Sequence, residues 1–138
     1  MRYLIDTNIL IFLLDDKHYL EKNVLTILYD YDNIIYTSSL SIFEITHLFQ
    51  NGRITTKIKT AKKLLETIEN EFNIQIIHTK NEYFETFSRL PTVRNHNDPV
   101  DRIIIAQAIT EKLPLISSDS KFKEYKDLNL VYNDKNKR

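Results

Sequence analysis

The chain has no cysteine, a single glycine and three prolines in 138 residues. Without cysteine there are no disulfide scaffolds, thiolate zinc sites, iron–sulfur centres or cysteine nucleophiles. That fits a reducing compartment, and a cytoplasmic location is expected. So little glycine and proline excludes collagen-like and low-complexity architectures. Long apolar runs are missing as well: the longest, Ile9–Leu14, falls far short of the roughly 20 residues that span a bilayer. It is bracketed by Asp6 and by Asp15 and Asp16, with no small-residue cleavage site after it. Neither a membrane span nor a secretion signal is expected there. An excess of one charge is absent too, since Lys+Arg and Asp+Glu both total 19. Cutting after Glu69 leaves 8 basic against 9 acidic residues, then 11 against 10. Any nucleic-acid partner is therefore held by a local patch and not by a global field.

What is present is core material: 42% of residues are hydrophobic and 28% charged, the balance of a globular domain. Residues 1–134 are expected to form one domain, with 135–138 a frayed basic tail. Apolar runs at Arg2–Ile5, Asn33–Tyr36, Ile74–Ile77 and Leu113–Ser117 read as buried strands, and Asn129–Tyr132 as a weaker fifth at an edge. Helical periodicity fills the intervals: Ile9–Asp15, Tyr19–Asp30, Leu40–Gln50, Thr56–Glu71, Asn81–Leu90, Asp98–Lys112 and a short Ser120–Tyr125. Asn51-Gly52 reads as a helix stop, and Pro99 as a first-turn proline. Short apolar strands alternating with helices predict an α/β fold, a three-layer α/β/α sandwich around a mostly parallel sheet of four to five strands. Ligands in such sheets collect beyond the carboxyl ends of the strands.

Four acidic residues stand out on this map. Asp6 directly follows the first strand, Glu44 sits among Ile42, Phe43 and Ile45, Asp101 opens an apolar helix, and Asp119 comes two residues past the fourth strand. Carboxylates gathered in one cleft repel one another and must take up protons or bind a cation. Oxygen ligands with no thiolate suit Mg²⁺ or Mn²⁺, and such ions serve phosphodiester displacement. Each position also has a plainer reading. Asp6, Asp98 and Asp119 are good helix or turn caps, and Glu44 would be satisfied by a Lys or Arg from elsewhere in the chain.

The same residues resemble the PIN-domain family, and within it the VapC-type toxin ribonucleases of toxin–antitoxin pairs. Tyr3-Leu4-Ile5-Asp6-Thr7-Asn8 is similar to the family's opening strand and first acidic residue. Ser38-x-x-Ser41-x-x-Glu44-Ile45 is similar to the segment carrying the second. The block His96-x-Asp98-Pro99-x-Asp101-Arg102, followed by Ile105-Ala106-Gln107-Ala108, places the third at Asp101. Leu115-Ile116-Ser117-Ser118-Asp119 is similar to the fourth, with Ser117 where Thr is common. The resemblance covers nearly the whole chain. It implies a Mg²⁺- or Mn²⁺-dependent endoribonuclease acting on single-stranded RNA, with Asp6, Glu44, Asp101 and Asp119 as catalytic metal ligands. It also implies a homodimer and an antitoxin protein as partner.

Around the carboxylates, Thr7, Asn8, Ser41, Asp98 and Ser117 are candidates to hold them or the metal's waters, while Ser38 reads as a cap. Arg94, His96 and Arg102 are candidate RNA contacts. Of these, Arg102 reads equally as a surface salt bridge or a partner of Asp98, and His96 as a solvated loop histidine, with proton donation the alternative. The lysines of Thr56–Lys63 read as a wet helix face, and Tyr83, Phe84 and Phe87 as core before stacking platform. Two other functions fit the first motif. An aspartyl-phosphate enzyme needs a second Asp two residues after Asp6, where Asn8 stands. A non-catalytic interaction domain needs no turnover from the acidic cluster.

Overall fold

The computed structural model describes residues 1–54 and 56–136. Five strands form one parallel sheet: β1 (Arg2–Ile5), β2 (Ile34–Ser38), β3 (Ile74–Ile77), β4 (Leu115–Ser117) and β5 (Leu130–Tyr132). Their order across the sheet is β3-β2-β1-β4-β5, so the first strand lies in the middle. Tyr3 pairs with Ile35 on one side of β1, and Ile5 with Ile116 on the other. The expected weak edge strand is β5, which pairs with β4 in parallel.

Alternation along β1 divides the core into two layers. Tyr3 and Ile5 face one way, onto Ile9, Leu10 and Leu13 of α1 (Thr7–Asp15), Val24 of α2 (Lys22–Tyr29), Ile45 of α3 (Ser39–Gln50) and Leu64 of α4 (Ala61–Glu66). Leu4 faces the other way, onto Ile104, Ile105 and Ala108 of α6 (Pro99–Glu111), with α5 (Asn81–Ser88) packed on α6. Both faces of β1 are thus buried, which is why its three inner residues are all apolar. Each of these fully buried aliphatics contributes roughly 2 kcal/mol through removal from water. The three-layer arrangement is the one expected from the strand–helix alternation.

Two expected helices are shorter than their periodicity. The Tyr19–Asp30 pattern divides into a 3-10 turn over Lys17–Tyr19 and α2, because Asp16 caps the turn through His18 N–H (3.0 Å) and Leu20 turns extended to reach the core. The Thr56–Glu71 pattern becomes regular helix only from Ala61. Thr56 and Thr60 accept from the backbone N–H groups of Ile58 (3.3 Å) and Lys63 (3.1 Å), and such local bonds compete with helix. Its last turn, Thr67–Glu71, widens to π geometry, with Phe72 N–H donating to Thr67 O at 3.0 Å. Helix α3 stops where Asn51-Gly52 was expected to stop it, Gly52 taking φ +70. Of the expected tail, Lys135 and Asn136 form an exposed turn, and Lys137 and Arg138 lie outside the described residues.

Candidate metal centre

The carboxyl ends of β1, β2 and β4 are adjacent, and each hands the chain to a polar residue. Asp6 is held across the sheet by backbone pairing, its N–H donating to Ile116 O at 3.1 Å. Its Oδ1 accepts from Ile9 N–H at 3.0 Å, capping α1. Its Oδ2 accepts from the hydroxyl of Ser117, the last residue of β4, at 2.5 Å. Ser117 Oγ in turn accepts from Asp119 N–H at 3.0 Å, and Asp119 Oδ1 caps the 3-10 turn Ser120–Glu124 through Lys121 N–H. The cap readings for Asp6 and Asp119 are therefore correct and do not remove either residue from the cluster.

The second carboxylate arrives from β2. Ser38 caps α3 by accepting from Leu40 N–H, which aims the first turns of that helix toward Asp6's neighbour Thr7. Thr7 Oγ1 lies 2.6 Å from Glu44 Oε1 and 2.9 Å from Ser41 Oγ. A hydroxyl has one proton to give, so Thr7 donates to the carboxylate and receives from Ser41. This hydroxyl pair occupies the place expected of a Lys or Arg partner for Glu44. The third carboxylate comes with α6. Asp98 caps it, accepting from Val100 and Asp101 N–H at 2.9 and 3.4 Å, with Pro99 in the first turn. Asp101 follows in that turn.

The charges show that these groups share one neighbourhood. Burial pushes the Asp6 carboxyl up to about 6, against hydrogen bonds from Ser117 and Ile9, with Asp119 and Glu44 adding repulsion. Asp101 is pushed up to about 7, by burial first and then by the charges of Asp98, Asp6, Glu44 and Asp119. Glu44 is raised by burial too, with Thr7 opposing and Asp98 reinforcing. Among the described residues no Lys or Arg nitrogen lies within 4.0 Å of Asp6, Glu44, Asp101 or Asp119. The positive ends of α1, α3 and α6 supply only partial compensation. An oxygen-rich, uncompensated set of this kind fits a hard divalent cation.

Five expectations need correction or completion. His96 is not a solvated loop residue: it is 3% exposed, packed on the rings of Phe122 and Tyr125. Val93 plugs the core beneath the same loop and accepts His96 N–H at its carbonyl, so the polar segment is anchored at both places. Burial lowers the His96 imidazole, favouring its neutral form. Among the described residues the Arg102 guanidinium forms neither a salt bridge nor a bond to the Asp98 carboxylate; its Nη1 donates to Tyr125 OH (2.9 Å) and Pro91 O (3.0 Å). Asn8 is exposed and, among the described residues, has no hydrogen bond to the carboxylates. Arg94 is exposed and lines a surface groove with Ser120 and Lys121. Phe84 is more than half exposed, whereas Tyr83 is core, as expected.

Two residues at the site were not anticipated. Tyr125 reaches His96 Nδ1 at 2.6 Å from 29 residues away; a lone Tyr in a short helix announces no such partner. Asn133 is fully buried behind Ser118, whose Oγ it meets at 2.7 Å. It also donates to Tyr19 O (2.9 Å) and accepts from Glu21 N–H (2.7 Å).

Comparison with known proteins agrees with this fold. A chain in the crystal structure of VapBC2 from Rickettsia felis, bound to a DNA fragment from their promoter, superposes with a TM-score of 0.77 at 22% identity. The match covers 97% of this chain and all of that one. A chain of VapBC-1 from nontypeable Haemophilus influenzae gives 0.69 at 18% identity, covering 96% and 98% of the two chains. One from DNA-bound VapBC of Salmonella typhimurium gives 0.67 at 15%, with the same coverages. No curated protein matches the chain in sequence. Residues 3–128, more than nine-tenths of the chain, match the PIN domain, and the chain belongs to the PIN-domain family.

Proposed function

We propose that the chain is a metal-dependent endoribonuclease that hydrolyses phosphodiester bonds of single-stranded RNA, the toxin of a toxin–antitoxin pair. The observation that carries this reading is the convergence of Asp6, Glu44, Asp101 and Asp119 without a cationic side chain among them. Asp6 and Asp101 would be the principal ligands of a Mg²⁺ or Mn²⁺ ion, with Glu44 and Asp119 completing the set. When bound, such an ion offsets charge on the transferring phosphate and lowers the pKa of water.

The chain's own groups prepare that site. Ser117 and Ile9 N–H hold Asp6 at both oxygens, so its orientation is set before any ligand enters. Thr7, itself bonded by Ser41, holds Glu44 at Oε1. Asp98 fixes the start of α6 and hence the position of Asp101. Arg94, in its groove with Lys121, would neutralise phosphates of an RNA strand running past the cluster.

An antitoxin partner is supported by the VapBC complexes that share the fold. A homodimer is supported by the exposed apolar strip of Phe84 with Leu40, Phe87 and Val100, a kind of surface that association covers. Sedimentation would measure it. The cytoplasm is the compartment in which RNA and antitoxin would be met, and among the described residues no helix is long and apolar enough to cross a membrane.

The direct test is cleavage of a single-stranded RNA by the wild-type chain and by Asp6→Asn and Asp101→Asn. Both variants should keep the far-ultraviolet circular dichroism of the wild type and lose cleavage, and EDTA should silence the wild type. Full activity of both variants, or cleavage indifferent to EDTA, overturns the proposal.

A further inference from the structure

His96, Asp101 and Asp119 bring one ligand atom each within 4.8 Å of one another, which on distance alone makes the histidine a third metal ligand. The hydrogen bonds around its ring point elsewhere. Arg102 can only donate, and its Nη1 lies 2.9 Å from Tyr125 OH. The phenol oxygen therefore accepts from Arg102, and its single proton remains to be placed. His96 Nδ1 sits 2.6 Å away and is the only acceptor it meets among the described residues. Were Nδ1 protonated, the phenol would accept twice and its own hydrogen would be stranded at a buried position, a costly arrangement. The neutral tautomer that satisfies every group carries its hydrogen on Nε2. That nitrogen faces Asp101 Oδ2 at 3.3 Å.

We propose that Arg102, Tyr125 and His96 form a directional donor chain that ends on Asp101, making His96 a positioning residue for that carboxylate and not a metal ligand. Its lone pair is engaged by Tyr125, and its N–H is turned toward the acidic cluster. Asp101 Oδ2 is thereby tied back, leaving Oδ1 as the oxygen without a hydrogen bond among the described residues. The parallel with Asp6, held by Ser117, and Glu44, held by Thr7, is direct: each carboxylate has a neutral donor on one oxygen. Phe122 packs against the imidazole tilted by 60° and Tyr125 meets it edge-on, so the donor direction is maintained by packing as well as by bonds. The idea rests on the metal-centre reading only for what Asp101 does next; the chain of donors is a property of the folded protein alone.

The test reads these two parts separately. Long-range ¹H–¹⁵N correlation of the histidine rings in metal-free protein at pH 7.5 should show His96 as the Nε2–H tautomer. Tyr125→Phe keeps the ring and removes the hydroxyl, and should convert His96 to a mixture of tautomers. Arg102→Met, which frees the phenol to accept from Nδ1, should shift the tautomer in the same direction should the first variant fold poorly. Calorimetric titration with Mn²⁺ should show affinity about 10-fold weaker in Tyr125→Phe. An Nδ1–H tautomer in the wild type, or direct perturbation of Nε2 as a ligand on adding Mg²⁺, overturns the proposal. So does a Tyr125→Phe chain that binds Mn²⁺ as tightly as the wild type. A wild-type chain that binds no Mn²⁺ sinks the metal-centre reading instead, and the metal-free spectrum then decides the donor chain by itself.

Discussion

The Ser117 hydroxyl donates to Asp6 Oδ2 across 2.5 Å, joining the ends of two neighbouring strands that lie 111 residues apart in sequence. It is among the interactions that keep the Asp6 carboxyl from rising as far as burial alone would push it. Ser117→Ala should therefore raise that carboxyl above its present value of about 6. The loss of one buried hydrogen bond should cost about 1 kcal/mol of stability, and Mn²⁺ affinity should drop about 10-fold. Urea unfolding and calorimetry of the variant measure both. Unchanged metal affinity would mean that Ser117 matters only to the fold.

The metal-free protein should lose stability as pH rises from about 4 to about 7. Asp6 and Asp101 titrate near 3.8 when unfolded but near 6 and 7 in the folded chain, so across this window the native state holds more protons than the unfolded state. Unfolding free energy then falls with rising pH. The contribution is complete below pH 4 and gone above pH 7, on the order of 2–3 kcal/mol for Asp6 alone. Urea midpoints in EDTA at pH 4.5, 6 and 7.5 follow it, and Asp6→Asn should flatten the profile. A midpoint that climbs with pH and is indifferent to Asp6→Asn contradicts the assignment.

Divalent ions should reverse that trend. Mn²⁺ at about 100 times its dissociation constant should stabilise the fold by about 2.7 kcal/mol, raising Tm by roughly 10 °C for a chain of this size. The gain should be larger at pH 7.5 than at pH 5.5, because bound protons must leave before the ion enters. Asp101→Asn should abolish most of it. A melting temperature that ignores millimolar Mn²⁺ would favour the non-catalytic interaction domain over the nuclease.

Asn133 provides a prediction away from the chemistry. Its amide joins Tyr19 O, Glu21 N–H and Ser118 Oγ at a fully buried position. Asn133→Ala removes all three bonds at once and should destabilise the protein by roughly 2–4 kcal/mol, read as a fall in urea midpoint with the slope unchanged. A loss under 1 kcal/mol would show that water replaces the amide without penalty.

The strands were legible because burial on both faces leaves a run such as Tyr3-Leu4-Ile5 no polar residue. The carboxylates were legible because Asp6 and Asp119 follow such runs directly and Asp101 interrupts an apolar helix face. Helix limits were less so. Thr56 and Thr60 look like any polar residues on a wet face, yet their hydroxyls capture backbone N–H groups and delay the helix to Ala61. His96 misled for a related reason. Its sequence neighbours Arg94, Asn95 and Asn97 are exposed, while the rings that bury it, Phe122 and Tyr125, come from beyond β4. Local composition reports the company a residue keeps along the chain, and the burial of His96 depends on company kept across it.

The central position of β1 has a consequence for synthesis. β1 leaves the ribosome before both of its neighbours: β2 begins at Ile34, and β4 only at Leu115. Until then Asp6 lacks its serine, and neither Asp101 nor Asp119 has settled beside it. Nascent chains and products of premature termination before β4 therefore carry an unassembled acidic cluster, and the site is complete only once β4 and Asp119 have emerged.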